Sequence, residues 1–292
     1  MNRFKGVGVA LVTPFDGNGD VDYTALGALL DHTEKVDFYV VLGTTAESAT
    51  LSAQERDAVV RYVVKHNAGR RPIVVGIGGN NTSEVVRMLG EFNLEGVDAI
   101  LSVVPYYNKP TQGGIYAHYA AVLEASPLPV ILYNVPGRTG VNMAAETTLR
   151  LANDFPKKAV AVKEASGNMS QVAYILRDRP QGFLVLSGDD NLTLPILAMG
   201  GDGVISVSAN AFPSKMSSMV RFGLSGGGSV ASSLSLEMWE ATDLLFREGN
   251  PAGVKMALAI KNIMGAGVRL PLVEASDELR EQLTLQIEKY GL

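Results

Sequence analysis

Lys163 closes the apolar part of "AVAVKEASGN", residues 159–168. The run Ala159, Val160, Ala161 and Val162 reads as a buried strand, so a lysine at its end needs a reason. In the ordinary one, the stem packs on apolar surface and the ammonium reaches water. The other is a Schiff-base nucleophile. A lysine amine of ordinary pKa, ~10.4, is uncharged in only about one molecule in a few thousand at neutral pH. Desolvation disfavours the charged form, and a depression of ~3 units corresponds to roughly 4 kcal/mol, within reach of an apolar barrel mouth.

Imine chemistry moves protons repeatedly between carbon, nitrogen and oxygen, so the amine needs acid–base partners. The three histidines, His32, His66 and His118, all fall in helical segments. Hydroxyl groups dominate the strand ends instead: Thr13, Thr44 and Thr45 in "GTTAES" (43–48), and Tyr133 in "YNVPGRTG" (133–140). A strand-end tyrosine is more often a packing residue. Arg138 has the fork geometry that reads a carboxylate, although a loop arginine is as often a surface residue. Asp189 and Asp190 in "SGDDN" are a weak metal signal without a third ligand, and a helix N-cap role for Asp190 or Asn191 is the better expectation. Neither a metal nor a cofactor is expected.

These residues need elements to bring them together. Short Val/Ile-rich runs recur as "VGVALV", "FYVVLG", "IVVGIG", "AILSVV", "VILYNV", "AVAVK", "FLVLSG" and "GVISV". They suit parallel strands buried on both faces. Between them, helical spacing runs over Tyr23–Val36, Ala53–Asn67, Ser83–Phe92 and Gly114–Ala125; Thr82 precedes the third helix as a cap, and Ser52 with Glu55 forms a capping box before the second. Repeated β–α units predict an α/β fold, a (β/α)8 TIM barrel whose site lies at the C-terminal strand ends. An open doubly wound sheet is the alternative, but no dinucleotide fingerprint follows the first strand, and "GIGGNN" carries Asn81 where a third glycine would stand. The barrel is expected to span 1–224. After a Gly/Ser-rich hinge, "LSGGGSVASSLS", a C-terminal helical appendage (225–292) follows, with helices near 230–247, 251–263 and 276–289.

Composition bounds the reading. The 292 residues are 47% hydrophobic and 19% charged, enough for a large core. A formal net charge of -5, without a basic run, argues against a nucleic-acid partner. No cysteine occurs, which removes thiolate chemistry and disulfides. The first apolar run, cut by Pro14, is too short for a secretory segment, and no long apolar span suggests a membrane. A cytoplasmic location is expected.

In order and spacing, "GTTAESATL", "SVVPYYNKP", "YNVPGRTG", "VKEASGN", "LSGDD" and "GVISV" resemble the dihydrodipicolinate synthases, or 4-hydroxy-tetrahydrodipicolinate synthases. The similarity runs from about residue 4 to "RLPL" at 269–272. It implies a lyase of the diaminopimelate and lysine pathway, in which Lys163 condenses with pyruvate and the enamine attacks L-aspartate 4-semialdehyde. Tyr133 would shuttle protons with Thr44 and with Tyr107 from a neighbouring subunit. Arg138 would hold the semialdehyde carboxylate, Thr44 and Thr45 the pyruvate carboxylate, and the carbonyls of Gly188 and Ile205 would line the pocket. A homotetramer, a dimer of dimers, is implied. Family members acting on sugar-derived keto acids or N-acetylneuraminate usually carry another residue at Arg138; a catalytically silent barrel is the rival of another class.

Two features depart from the family pattern. Ala46 stands where the family usually has glycine, a strained choice if that position needs φ > 0. In the cleft where many members bind L-lysine as an inhibitor, Ser48, Ala49, Asn80, Glu84 and Tyr106 match, but Ala53 and Arg56 stand where sensitive members often carry histidines. Arg56 adds positive charge near a cationic ligand, so weak or absent inhibition is expected.

Overall fold

The computed structural model describes residues 3–292. Eight strands, β1 (Gly6–Ala10), β2 (Phe38–Val41), β3 (Ile73–Gly76), β4 (Ala99–Val103), β5 (Val130–Asn134), β6 (Ala159–Glu164), β7 (Leu184–Ser187) and β8 (Gly203–Ser206), pair in sequence order, and β8 closes on β1. Every pairing is parallel. This is a (β/α)8 barrel.

Alternation along the strands sorts two cores. Val9, Val75, Leu132, Val162 and Val185 face outward onto the helices, whereas Val40, Val74, Leu101, Ile131, Ala161, Leu186 and Ile205 fill the interior. The inward sets continue to the C-terminal rim. On β5 the order is Ile131 then Tyr133; on β6 it is Ala161 then Lys163. The polar side chains thus stand on the last inward positions, above a packed interior floor.

The helices between strands are α1 (Tyr23–His32), α2 (Ala53–Asn67), α3 (Thr82–Glu91), α4 (Gln112–Ala125), the single turn α5 (Pro136–Thr139), α6 (Ala145–Asp154), α7 (Met169–Asp178), α8 (Thr193–Ala198) and α9 (Pro213–Leu224). The capping box opens α2: Ser52 Oγ accepts from Glu55 N at 3.2 Å, and Glu55 Oε2 accepts from Ser52 N at 2.8 Å. The first helix stops at His32, short of Val36: Thr33 leaves the helical backbone at φ -90° and ψ 14° as its C-cap, and its hydroxyl also donates to Leu29 O. Asn81, not Thr82, caps α3 by accepting from Glu84 N; Thr82 is the first helical residue and its hydroxyl meets His118 Nδ1 at 2.9 Å.

Beyond α9 come α10 (Gly228–Arg247), α11 (Ala252–Ile260) and α12 (Asp277–Tyr290). The expected hinge is mostly helix. Only Gly226 takes a positive φ, and Gly227 N closes α9 on Phe222 O; the serines that follow lie within α10, whose Ala231, Met238, Ala241 and Leu245 are buried. The extension packs on the barrel through α10 against α8 and α9, and through α11 against the turn Ser208–Asn210 after β8. It therefore reaches the C-terminal rim of the barrel. Among the described residues no helix is long and apolar enough to cross a membrane.

Candidate active site

The register between β5 and β6 sets the site. Val130 pairs with Ala159, but Ile131 pairs with Ala161, so β6 carries one extra residue and Tyr133 stands opposite Lys163. Without that shift Tyr133 would face Val162. The Lys163 side chain is 5% exposed, and its Nζ lies 4.3 Å from the centre of the Tyr133 ring. Gly188, just beyond β7, makes room for the lysine stem: a Cβ there would stand 3.1 Å from both Cγ and Cε of Lys163 and 2.6 Å from the Ala165 Cβ.

Around this amine lies a cavity of about 180 Å3 lined by Thr44, Thr45, Tyr133, Arg138, Lys163 and Gly188, among others. Arg138 rides on α5, a turn begun by Pro136 and closed by Gly140 at φ 69°. Thr139 stiffens that turn by donating to Val141 O at 2.8 Å. The Ile205 side chain fills the barrel interior, so only its backbone is left to face the cavity, and Val207, two residues on, lines the wall with Gly188.

Thr44 and Thr45 lie on a short 3-10 turn, Thr44–Ala46. Ala46 is not left-handed. Its carbonyl accepts from the Thr13 hydroxyl at 2.7 Å, and Glu47 takes the strained conformation, φ 53° and ψ 34°. Alanine in place of the family glycine therefore costs no backbone strain. The Thr45 hydroxyl accepts from Asn250 Nδ2 at 3.0 Å, across 205 residues of sequence. Asn250, between α10 and α11, has no counterpart in the sequence reading.

A larger cleft of about 480 Å3 continues from the first and shares Thr44, Tyr133, Arg138 and Asn250 with it. Ser48, Ala49, Tyr106 and Arg56 line it, whereas Asn80 and Glu84 do not. Glu84 is engaged on its own helix: Arg87 Nε donates to its Oε2 at 2.9 Å, and this hydrogen bond holds the carboxyl below its ordinary range. Tyr107 is not brought to the site of its own chain. It is 88% exposed, with φ 73°, a costly conformation for an aromatic residue.

The acidic pair after β7 is structural. Asp190 does not cap α8, which begins after Leu192 without a side-chain cap. Its Oδ2 instead accepts from Val207 N at 3.0 Å and Ser208 N at 3.1 Å, pinning the β8 loop beside the cavity, and burial raises its pKa. Asp189 Oδ1 accepts from Asn191 N at 3.1 Å, shaping the turn into α8. The loop needed these anchors more than the helix needed a cap.

A buried lysine at a barrel rim, beside a tyrosine and facing hydroxyls and an arginine, defines a class: a site equipped for imine chemistry on a carboxylated carbonyl compound. The profile of the dihydrodipicolinate synthetase family matches residues 3–290, and the chain belongs to that family. It is 52% identical to the 4-hydroxy-tetrahydrodipicolinate synthase of Parabacteroides distasonis, over 93% of this chain and 92% of that one. With the Bacillus subtilis enzyme of the same name it shares 43% identity, over 98% and 99%. Among solved structures, the dihydrodipicolinate synthase of Thermotoga maritima superposes with a TM-score of 0.96 at 37% identity, and that of Aquifex aeolicus with 0.94 at 40%, each over 99% of both chains.

Proposed function

We propose that the protein condenses pyruvate with L-aspartate 4-semialdehyde to give 4-hydroxy-tetrahydrodipicolinate, a lyase reaction of lysine biosynthesis. One observation carries the assignment of roles: Lys163 is buried at the rim, in one cavity with Tyr133, Thr44, Thr45 and Arg138.

The chemistry follows. The neutral Lys163 amine adds to the pyruvate carbonyl, and loss of water leaves an imine. A proton leaves the methyl carbon, giving an enamine that forms a carbon–carbon bond to the semialdehyde aldehyde, whose oxygen becomes a hydroxyl. The adduct's own amino group then adds to the imine carbon and expels Lys163, closing the ring and restoring the amine. Tyr133 and Thr44 carry the protons. Thr44 and Thr45 receive the pyruvate carboxylate, and the Arg138 fork receives that of the semialdehyde.

Tyr107 completes the proton path of a neighbouring copy, in keeping with its exposure and its left-handed backbone. The assembly is a dimer of dimers acting in the cytoplasm. The test is an assay of product from pyruvate and L-aspartate 4-semialdehyde, run beside retro-aldol cleavage of keto-deoxy-sugar acids and N-acetylneuraminate. Turnover of the first pair supports the reading. Turnover confined to the sugar acids, or none with any substrate, refutes it.

A further inference from the structure

Lys255 lies in α11, more than ninety residues beyond Lys163, yet it is wholly buried. Its Nζ stands 2.6 Å from Glu47 Oε1, off the line of a well-formed hydrogen bond, so the contact is an ion pair; both side chains are at most 1% exposed. Nζ also donates to Gly267 O at 2.8 Å and lies 4.2 Å from the centre of the Phe15 ring. The second Glu47 oxygen accepts from Arg269 N at 2.9 Å. Burial lowers the Lys255 pKa to about 8, with Glu47 opposing that shift.

Glu47 follows directly on the turn that carries Thr44 and Thr45, and it holds the left-handed conformation joining that turn to the next, Ser48–Thr50. A non-glycine residue keeps such a backbone only where its surroundings enforce it. Here the enforcing groups, Lys255 and Arg269 N, both come from the C-terminal extension, and Asn250 from the same region holds Thr45. Through these contacts the extension fixes the backbone of the carboxylate-binding turn.

We infer that Lys255 is a positioning residue of the active site: by clamping Glu47 it holds the Thr44–Thr45 turn in the geometry that receives the carboxylate of the 2-oxo acid. The inference rests on the proposed role of those threonines. Arg138 belongs to another loop, so recognition of the second substrate does not depend on the clamp.

Three enzymes test this: wild type, Lys255→Met, and the doubly neutral Lys255→Met/Glu47→Gln, which leaves no unpaired buried charge and guards against a single variant that fails to fold. Each is titrated with pyruvate, read both as turnover and as borohydride-trapped adduct on Lys163, and then with semialdehyde at saturating pyruvate. The folded variants should need about ten-fold or more pyruvate for half-saturation. Trapping at saturation should persist, and half-saturation by semialdehyde should change by less than about two-fold. Unchanged pyruvate dependence in a folded variant overturns the inference, as does an equal shift for both substrates; a lowered melting temperature alone marks a purely structural pair and overturns it too. Should wild type itself fail to trap pyruvate, the proposed function falls first.

Discussion

Tyr133 and Lys163 are register partners on adjacent parallel strands, and the lysine nitrogen sits 4.3 Å from the centre of the tyrosine ring. Strand geometry fixes this neighbourhood, whereas loop packing fixes the positions of Thr44, Thr45 and Arg138. The two groups expected to exchange protons during imine chemistry are therefore placed by the sheet itself.

Gly188 tests how closely Lys163 must be placed. In Gly188→Ala the new Cβ meets the lysine stem at 3.1 Å and Ala165 at 2.6 Å, so the amine must move. Turnover should fall by roughly 100-fold, the scale of an ångström misplacement. Steady-state kinetics beside a thermal melt give the answer; a folded variant with wild-type turnover would contradict the account.

Glu164 pairs in register with Asn134 on the face opposite the amine. It is buried and accepts from Gln171 Nε2 at 2.9 Å, Ser166 N at 2.8 Å and Asn134 Nδ2 at 3.1 Å. Glu164→Ala leaves Ser166 N without its acceptor and strips the carboxylate from Asn134 Nδ2 and Gln171 Nε2, which keep Asn142 Oδ1 and Met143 O. Denaturant unfolding should show a loss of about 3 kcal/mol; a loss below ~1 kcal/mol would mean that the network is not holding the strand ends together.

His118 gives the fold an acid-sensitive point. Burial lowers its pKa from 6.5 to about 4. Between those values the unfolded chain binds a proton that the folded chain refuses, so this contribution is fully present above about pH 6.5 and is lost as the pH falls to about 4. The loss sums to roughly 3 kcal/mol. Urea unfolding at about pH 7 and about pH 5 should show a smaller decline for His118→Gln than for wild type, and equal declines would contradict the assignment.

L-Lysine should inhibit weakly or not at all. Glu84, which would have to pair with the ligand ammonium, is engaged by Arg87, and Arg56 lines the adjoining cleft. Activity measured across millimolar lysine should stay near its uninhibited value; strong inhibition would show that Glu84 exchanges partners and that Arg56 does not repel the ligand.

The barrel was legible in the sequence because parallel strands buried on both faces leave short, branched apolar runs that nothing else in the chain imitates. Lys163 was legible for the same reason, as a charge at the end of such a run. Lys255 was not. In "AGVKMALAI" it reads as a helix-surface lysine, and neither its burial nor its partner, 208 residues away at Glu47, leaves a local pattern. Asn250 escaped likewise. Asp190 looked like a cap because helix starts favour aspartate, but two backbone donors in the next loop claimed it. The glycine- and serine-rich stretch looked like a hinge until burial of one face of α10 outweighed weak helix propensity.

The central claim is that the nitrogen of Lys163 forms an imine with a 2-oxo acid. Intact-mass and peptide analysis after borohydride reduction in the presence of pyruvate tests it most directly. The account predicts one added reduced pyruvyl group, on the peptide containing Lys163, and none in Lys163→Ala. An unmodified Lys163, or an alanine variant that turns over at the wild-type rate, would contradict it.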